Sequence, residues 1–365
     1  VSSATQQLPA QPTESAPVLV VDDSAVARAV LTRVVEQSGD FHVLASVGSV
    51  PAALEFLSNN RVAFILLDIA MPGIDGLTGM PDLIAIAKGA HVVIVSSSAG
   101  DGASSTVQAL ALGAADTMLK PETGQSTSAF GRELVEKLRR IKRAETPPTA
   151  VLRRLNGLSH RFNPAPRVPG QSSAFDVVAI GASTGGIHAL SGLLRAVPVG
   201  FDTPILITQH LPASFMPYFA AQLAVLGGRP CDVATDRMPI RRGRMIVAPG
   251  DGHLRCQRMS DGKLIVRLTS EVVSSGCMPS VDPMFESLAA AVGRSVLAIV
   301  LSGMGRDGMR GAVAVANAGG SVVIQDEATS VVWGMPGSVA AAGAATVALP
   351  PPAIGELVAS GRRPS

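Results

Sequence analysis

Apolar residues along this chain follow two alternating rhythms. Short β-branched runs read as buried strands: Val18–Val21, Phe41–Val47, Val62–Leu67, Val92–Val95 and Thr117–Leu119. Between them the apolar spacing turns helical, from Ala25 to about Gln37 and from Pro51, suited to a first helical turn, to Leu57. A closing helix is expected from Arg132 to about Ala144, where Leu134, Val135, Leu138 and Ile141 recur at helical spacing. Gly79 and Pro81 interrupt the stretch after Gly76, so the third helix should start late or stay short. The rhythm resumes with strands at Val177–Ile180, Pro204–His210, Met245–Val247, Val296–Leu301 and Ser321–Gln325. Helical runs follow from Ile187 through Leu194 and from Met309 through Asn317, and a β-rich insertion is expected near residues 231–270. Strands alternating with helices predict an α/β chain of two doubly wound, parallel-sheet domains. The segment 145–174 carries five prolines and reads as a Pro-rich linker, which places one domain at 17–144 and the other at 175–365. Residues 1–16 are polar and are expected to be a flexible N-terminal segment.

Composition narrows the picture. Of 365 residues 47% are hydrophobic and 16% charged, enough apolar surface for two packed cores. The net charge of +2 gives no reason to expect nucleic acid or a membrane surface as partner. No apolar run is long enough to span a bilayer. Cys231, Cys256 and Cys277 form neither an even set nor a C-x-x-C pair, so we expect a cytoplasmic protein in a reducing compartment, with no disulfide framework and no zinc site. The eight basic residues between Arg139 and Arg167, and the cluster Arg241-Arg242-Gly-Arg244, read first as solvated; a sharper reading has them meeting acidic partner surfaces.

Polar groups gather at the ends of the predicted strands. In the first half these are Asp22 and Asp23, Asp68, Ser96 and Lys120. Carboxyl ends of parallel strands share one edge of the sheet, so the five should converge. Single acids there would be helix caps, but three carboxylates together repel and call for a hard cation such as Mg²⁺, with the lysine and hydroxyl left to meet an anion beside it.

In the second half, Gly181-Ala-Ser183-Thr-Gly185 follows a strand and precedes a helix, the pattern of a nucleophile elbow. The bland alternative is a helix-capping serine. A dinucleotide turn fits poorly, because Ser183 replaces the second glycine and no ribose-binding acid ends the next strand. A serine nucleophile needs a base, and His210 ends the next strand; His253, in a later loop, is the runner-up, and His188 lies within the helix. Asp307, in Ser302-Gly-Met-Gly-Arg-Asp-Gly308 after a strongly apolar strand, is the candidate orienting acid, with Asp326 as its competitor. The order Ser–His–Asp differs from that of α/β-hydrolases.

Five motifs in register carry a resemblance: Gly181-Ala-Ser-Thr-Gly-Gly186, Gln209-His-Leu-Pro212, Ala248-Pro-Gly-Asp-Gly-His-Leu254, Leu301-Ser-Gly-Met-Gly-Arg-Asp-Gly308, and Gln325-Asp-Glu-Ala328 with Gly334-Met-Pro336. Residues 176–355 thereby resemble the catalytic domain of the chemotaxis protein-glutamate methylesterases, and residues 17–130 resemble a response-regulator receiver. The resemblance implies a receiver/flavodoxin-like domain followed by a Rossmann-like methylesterase domain. It implies Ser183 as nucleophile, His210 as base and Asp307 as orienting acid, with oxyanion donors around Thr184, Gly185, Gly186 and Met304. It implies Asp68 as phosphoacceptor, Ser96 and Lys120 as phosphoryl contacts, and Mg²⁺ held by the Asp22–Asp23 pair, Asp68 and the carbonyl of Ala70. A cis bond before Pro121 is expected with it. Implied partners are methyl-accepting chemotaxis receptors as substrate and a chemotaxis histidine kinase as phosphodonor; the implied reactions are ester hydrolysis releasing methanol and glutamine deamidation. The esterase chemistry needs no cofactor. Thr117 stands where many receivers carry an aromatic switch residue, so an aromatic swing is excluded here. Three rivals remain open at this level: a regulator whose second domain only binds a partner, a nucleotide-binding domain using the glycine turn, and a hydrolase of the same kind with a different substrate.

Overall fold

The computed structural model describes residues 15–96, 100–121, 127–144 and 175–364. The readings of residues 1–14 and of the Pro-rich linker at 145–174 lie outside these. In the first domain, β1 (Ala16–Val21), β2 (Phe41–Val47), β3 (Phe64–Leu67), β4 (His91–Ser96) and β5 (Asp116–Leu119) form a parallel sheet in the order β2-β1-β3-β4-β5. All four residues of β3 are buried, as expected of a parallel strand covered on both faces. Around the sheet lie α1 (Ala25–Glu36), α2 (Val50–Asn59), α3 (Gly76–Ala87), α4 (Gly100–Leu112) and α5 (Thr127–Ala144). Ser24, Ser49 and Asp75 cap the first three by accepting backbone N–H bonds.

Three expectations are corrected here. Helix α3 is neither late nor short: it starts at Gly76 behind its Asp75 cap and runs through Pro81. Gly79 serves close packing rather than interruption, because a Cβ there would lie 2.4 Å from Val50 Cγ1 on α2. Helix α5 starts at Thr127, ahead of Arg132, with Gly131 where a Cβ would crowd Val34 of α1 at 3.1 Å. The bond before Pro121 is not cis; the cis bond among the described residues is Met278–Pro279. The cis–trans preference of an X-Pro bond is about 1 kcal/mol or less, so local packing and not the proline decides it.

The second domain carries a seven-stranded parallel sheet ordered β14-β13-β12-β6-β7-β9-β8. Its strands are β6 (Val177–Ala182), β7 (Ile205–Gln209), β8 (Cys231–Val233), β9 (Met245–Val247), β12 (Val296–Val300), β13 (Ser321–Gln325) and β14 (Val347–Leu349). The expected insertion is smaller than 231–270: β8 and β9 extend the main sheet, and only β10 (His253–Arg258) and β11 (Leu264–Thr269) form a separate antiparallel hairpin. Strands β12, β6 and β7 are neighbours, and the chain leaves β6 toward β7 on one side and returns to β12 on the other. That reversal is the switch point where α/β sheets bind their ligands. The two domains share buried apolar surface, with Val107 and Leu110 of α4 in one cluster with Ile187, Leu190 and Phe215.

Candidate functional site

Ser183 stands one residue beyond β6, between Ala182 and the helix Gly186–Ala196. The turn depends on two glycines. Gly185 adopts φ +74°, and a Cβ there would lie 2.5 Å from Val331 Cβ. Gly303, in the loop after β12, lets that loop close on the serine: a Cβ there would sit 2.9 Å from Ser183 Cβ. The serine is pinned by its backbone, its N–H donating to Ser302 O at 3.1 Å and its carbonyl accepting from Gln209 Nε2 at 2.9 Å.

His210 follows β7 directly, and its Nε2 lies 2.7 Å from Asp307 Oδ2. Asp307 is buried and surrounded by donors. Its Oδ1 accepts from Ser280 Oγ at 2.6 Å and from Asp282 N at 3.3 Å, and its Oδ2 accepts from Val281 N at 2.7 Å. Burial alone would raise the Asp307 carboxyl, but these bonds and His210 hold it below the usual carboxylate range. The same contacts act on the imidazole. Burial pulls His210 down; the hydrogen bond and charge of Asp307, with the neighbouring Cys277 adding to them, outweigh it and push His210 up to about 9. Ser183, Thr184, His210 and Met304 line one cavity of about 290 Å³.

The competitors are placed elsewhere. His253 is buried, accepts from Ser280 N at 3.0 Å and meets Glu271 O at 2.9 Å, so it braces the 271–280 loop. His188 touches Ala111 O on α4 at 3.2 Å, at the domain boundary. Asp326 accepts from Thr329 Oγ1 within its own turn.

The expected oxyanion donors divide. Gly186 N–H closes the turn on Ser183 O at 2.8 Å and is therefore spent, and Gly185 N–H donates to Ala115 O of the first domain at 2.8 Å. The N–H groups of Thr184 and Met304 have no hydrogen-bond partner among the described residues. Sequence reasoning missed what lies over this edge. Asp116, at the start of β5, accepts from Thr184 Oγ1 and pairs with Lys137 at 2.8 Å. Helix α5 supplies Glu133, Glu136, Lys137 and Arg140 to the cavity wall, and Arg140 Nη1 reaches Met304 Sδ at 3.2 Å. The first domain thus roofs the serine. Sequence reasoning also missed the roles of Ser280 and Cys277, which lie just before the helix Val281–Ala291.

The second polar group assembles in the first domain. Asp22, Asp23 and Asp68 each bring a carboxylate oxygen within 4.8 Å of the others. Lys120 Nζ lies 2.6 Å from Asp68 Oδ2 and 2.8 Å from Asp22 Oδ2. Asp22 Oδ2 is buried and has this one ammonium as its partner. Three carboxylates around a single ammonium leave negative charge over, and such an oxygen-only set fits a hard cation. Burial raises the Asp68 carboxyl, and Lys120 only partly offsets this. Ala70 donates its N–H to Asp68 Oδ1 at 3.4 Å. Ser96 points to Thr106 Oγ1 on α4 at 2.9 Å, a partner the sequence did not suggest. Thr117 is buried with its hydroxyl unpaired.

Known proteins resemble this chain over both of its sheets. The family model "CheB methylesterase" matches residues 178–358, and "Response regulator receiver domain" matches residues 18–129. A protein-glutamate methylesterase/protein-glutamine glutaminase of Azospirillum brasilense is 41% identical over 93% of this chain and 91% of its own length. One of that description from Paramagnetospirillum magneticum is 39% identical over 95% of this chain and 96% of its own length. The crystal structure of the Thermotoga maritima CheB methylesterase catalytic domain is 34% identical, covering 50% of this chain and 97% of that one, with a TM-score of 0.49.

Proposed function

The chain belongs to the CheB methylesterase family, and we propose that it is a phosphorylation-controlled serine esterase. Its substrates on this reading are glutamate methyl esters and glutamines on chemotaxis receptors, in the cytoplasm. The observation that carries the reading is the meeting of Ser183, His210 and Asp307 at the ends of three adjacent parallel strands, with Ser183 and His210 on one cavity.

Ser183 Oγ attacks the ester carbonyl and His210 takes its proton through the ring nitrogen not engaged by Asp307. Asp307 fixes the tautomer and stabilises the imidazolium; Ser280 and Val281 fix Asp307. The oxyanion is held by the N–H groups of Thr184 and Met304, joined by Gly185 once its N–H is released. Loss of one such donor typically costs about 3 kcal/mol of transition-state stabilisation. His210 returns the proton to the leaving methanol, and water then cleaves the acyl-enzyme. An amide gives the same acyl-enzyme with ammonia leaving, which is the glutaminase reaction.

Control follows from the roof. We assign residues 17–144 to a regulatory receiver and 175–365 to the catalytic unit. With Asp116 on Thr184, Ala115 on Gly185 N–H and α5 across the cavity, a receptor helix has no approach to Ser183. Asp68 accepts a phosphoryl group from a histidine kinase. Asp22, Asp23, Asp68 and the Ala70 carbonyl would hold Mg²⁺, which when bound neutralises the incoming phosphoryl oxygens. Lys120 then leaves its carboxylate bridge for the phosphoryl group, and Ser96 leaves Thr106. Lys120 adjoins β5, the strand that carries Asp116 and Thr117, so the change reaches the roof directly. A tenfold shift in the open fraction needs only about 1.4 kcal/mol.

The test is methanol release from methylated receptor membranes, with and without a small phosphodonor, for wild type and Ser183→Ala. Release that rises with phosphodonor and vanishes in the variant is expected. Release unaffected by Ser183→Ala sinks the esterase reading; release indifferent to phosphodonor sinks the control.

A further inference from the structure

A third cluster of ligand-type side chains lies against the catalytic pair. His210, Cys277 and Asp307 each place one donor atom (ring nitrogen, thiol sulfur, carboxylate oxygen) within 4.8 Å of the other two. The three residues come from distant parts of the chain and meet only in the fold. Neither Cys231 nor Cys256 belongs to such a cluster among the described residues.

We propose that His210, Cys277 and Asp307 form an inhibitory site for a borderline-soft divalent cation, Zn²⁺, that switches the esterase off. The proposal rests on the reading of His210 as the base. The donor set is nitrogen, sulfur and oxygen, which suits tetrahedral Zn²⁺ with a fourth position for water; hard Mg²⁺ prefers oxygen alone. The oxygen-only cluster of Asp22, Asp23 and Asp68 is its counterpart, so one chain offers two cations two chemically distinct sites.

The surroundings are those of a built ligand set. Asp307 is held from behind by Ser280 Oγ, Val281 N and Asp282 N, so its position does not depend on His210. The Cys277 backbone is tied by its N–H to Ser275 Oγ at 3.3 Å, and Ser280 is tied in turn to His253. His210 and Met278, next to Cys277, line a cavity of about 610 Å³, and Cys277 is itself half-buried.

Binding is a simple exchange. The Cys277 thiol proton leaves to solvent and the sulfur becomes a metal thiolate. The cation takes the Nε2 lone pair of His210 as the Nε2 proton leaves to solvent, and the proton on Nδ1 stays. The neutral imidazole then has no lone pair left for the Ser183 proton. Catalysis stops without any change in the serine or in the receiver.

The test uses the full-length protein in excess Mg²⁺, with Co²⁺ as a spectroscopic probe and Zn²⁺ as competitor. One equivalent of Co²⁺ should give a sulfur-to-cobalt charge-transfer band that Zn²⁺ abolishes. The band should be absent in Cys277→Ser, weakened in His210→Gln and retained in Cys231→Ser. Zinc binding by calorimetry should weaken roughly a hundredfold or more in Cys277→Ser, at least the upper end of the cost of losing an outer-shell partner. No band in wild type, or a band that survives Cys277→Ser, overturns the site. Circular dichroism of both ligand variants separates lost ligation from lost folding. A band that behaves as expected in a protein with no esterase activity, even after chelation, supports the metal site and removes the esterase reading instead.

Discussion

The aspartate pocket and the serine site are the same construction used in two ways. Both gather polar side chains at the carboxyl edge of a parallel sheet, at the ends of neighbouring strands. Their internal bonding differs. Asp307 has a backbone or side-chain donor on each oxygen and a buried position, so the acid–base pair is set before any substrate arrives. In the aspartate pocket three carboxylates share one ammonium, and Lys120 spans two of them while its own side chain is 25% exposed. The first arrangement is closed on itself; the second leaves negative charge uncompensated. A preorganised site gains from rigidity because its donors cost no reorganisation during reaction. A switch gains from unsatisfied groups, because a ligand shifts an equilibrium only by what it binds differently in the two states.

The sharpest way to break this comparison is Asp307→Asn. It should lower methanol release by about 10⁴-fold, since the amide favours the wrong tautomer of the base. A loss below tenfold in a folded variant would mean that Asp307 is structural only. Asp68→Asn should leave basal release intact and erase the response to phosphodonor; a retained response would move the acceptor to another residue. Asp116→Ala removes the acceptor for Thr184 and Lys137. A hydrogen bond to a charged group contributes about 1.5–3 kcal/mol, so basal release should rise about tenfold or more. Unchanged basal release would show that α5 alone holds the roof.

The smallest effect is on pH-dependent stability. His210 is raised from 6.5 to about 9, so the folded state binds its proton more tightly than the unfolded state does. That contribution is fully present below pH 6.5 and is lost as pH rises through about 9. Urea midpoints should fall across this window in wild type and fall less in His210→Gln. The same protonation opposes its role as base, so release should climb over the same window. A flat profile for both would place His210 outside the coupled pair.

Much of this was legible in the chain. Buried parallel strands read as unbroken apolar runs, and a polar residue at the end of such a run falls on one sheet edge whatever the loops do. That logic located Asp22, Asp23, Asp68, Ser183, His210 and Asp307. It failed where a residue's role depends on what packs against it. Gly79 and Pro81 looked like breaks in α3, but the glycine makes room for Val50 and the helix continues. Gly186 looked like an oxyanion donor, but its N–H is consumed by its own turn. The roles of Asp116, Thr106 and Cys277 left no local pattern, since each is defined by a partner remote in sequence or on another element.

The sequence by itself determined the two parallel sheets, the strand ends at which chemistry could gather, and the residue types available there. Those follow from local periodicity, which each segment carries alone. Only the tertiary structure decided that the first domain lies across Ser183, that Gly185 N–H is held by Ala115, and that a thiol stands beside His210 and Asp307. These contacts join surfaces with no shared period, and their geometry exists only once both cores have packed and met.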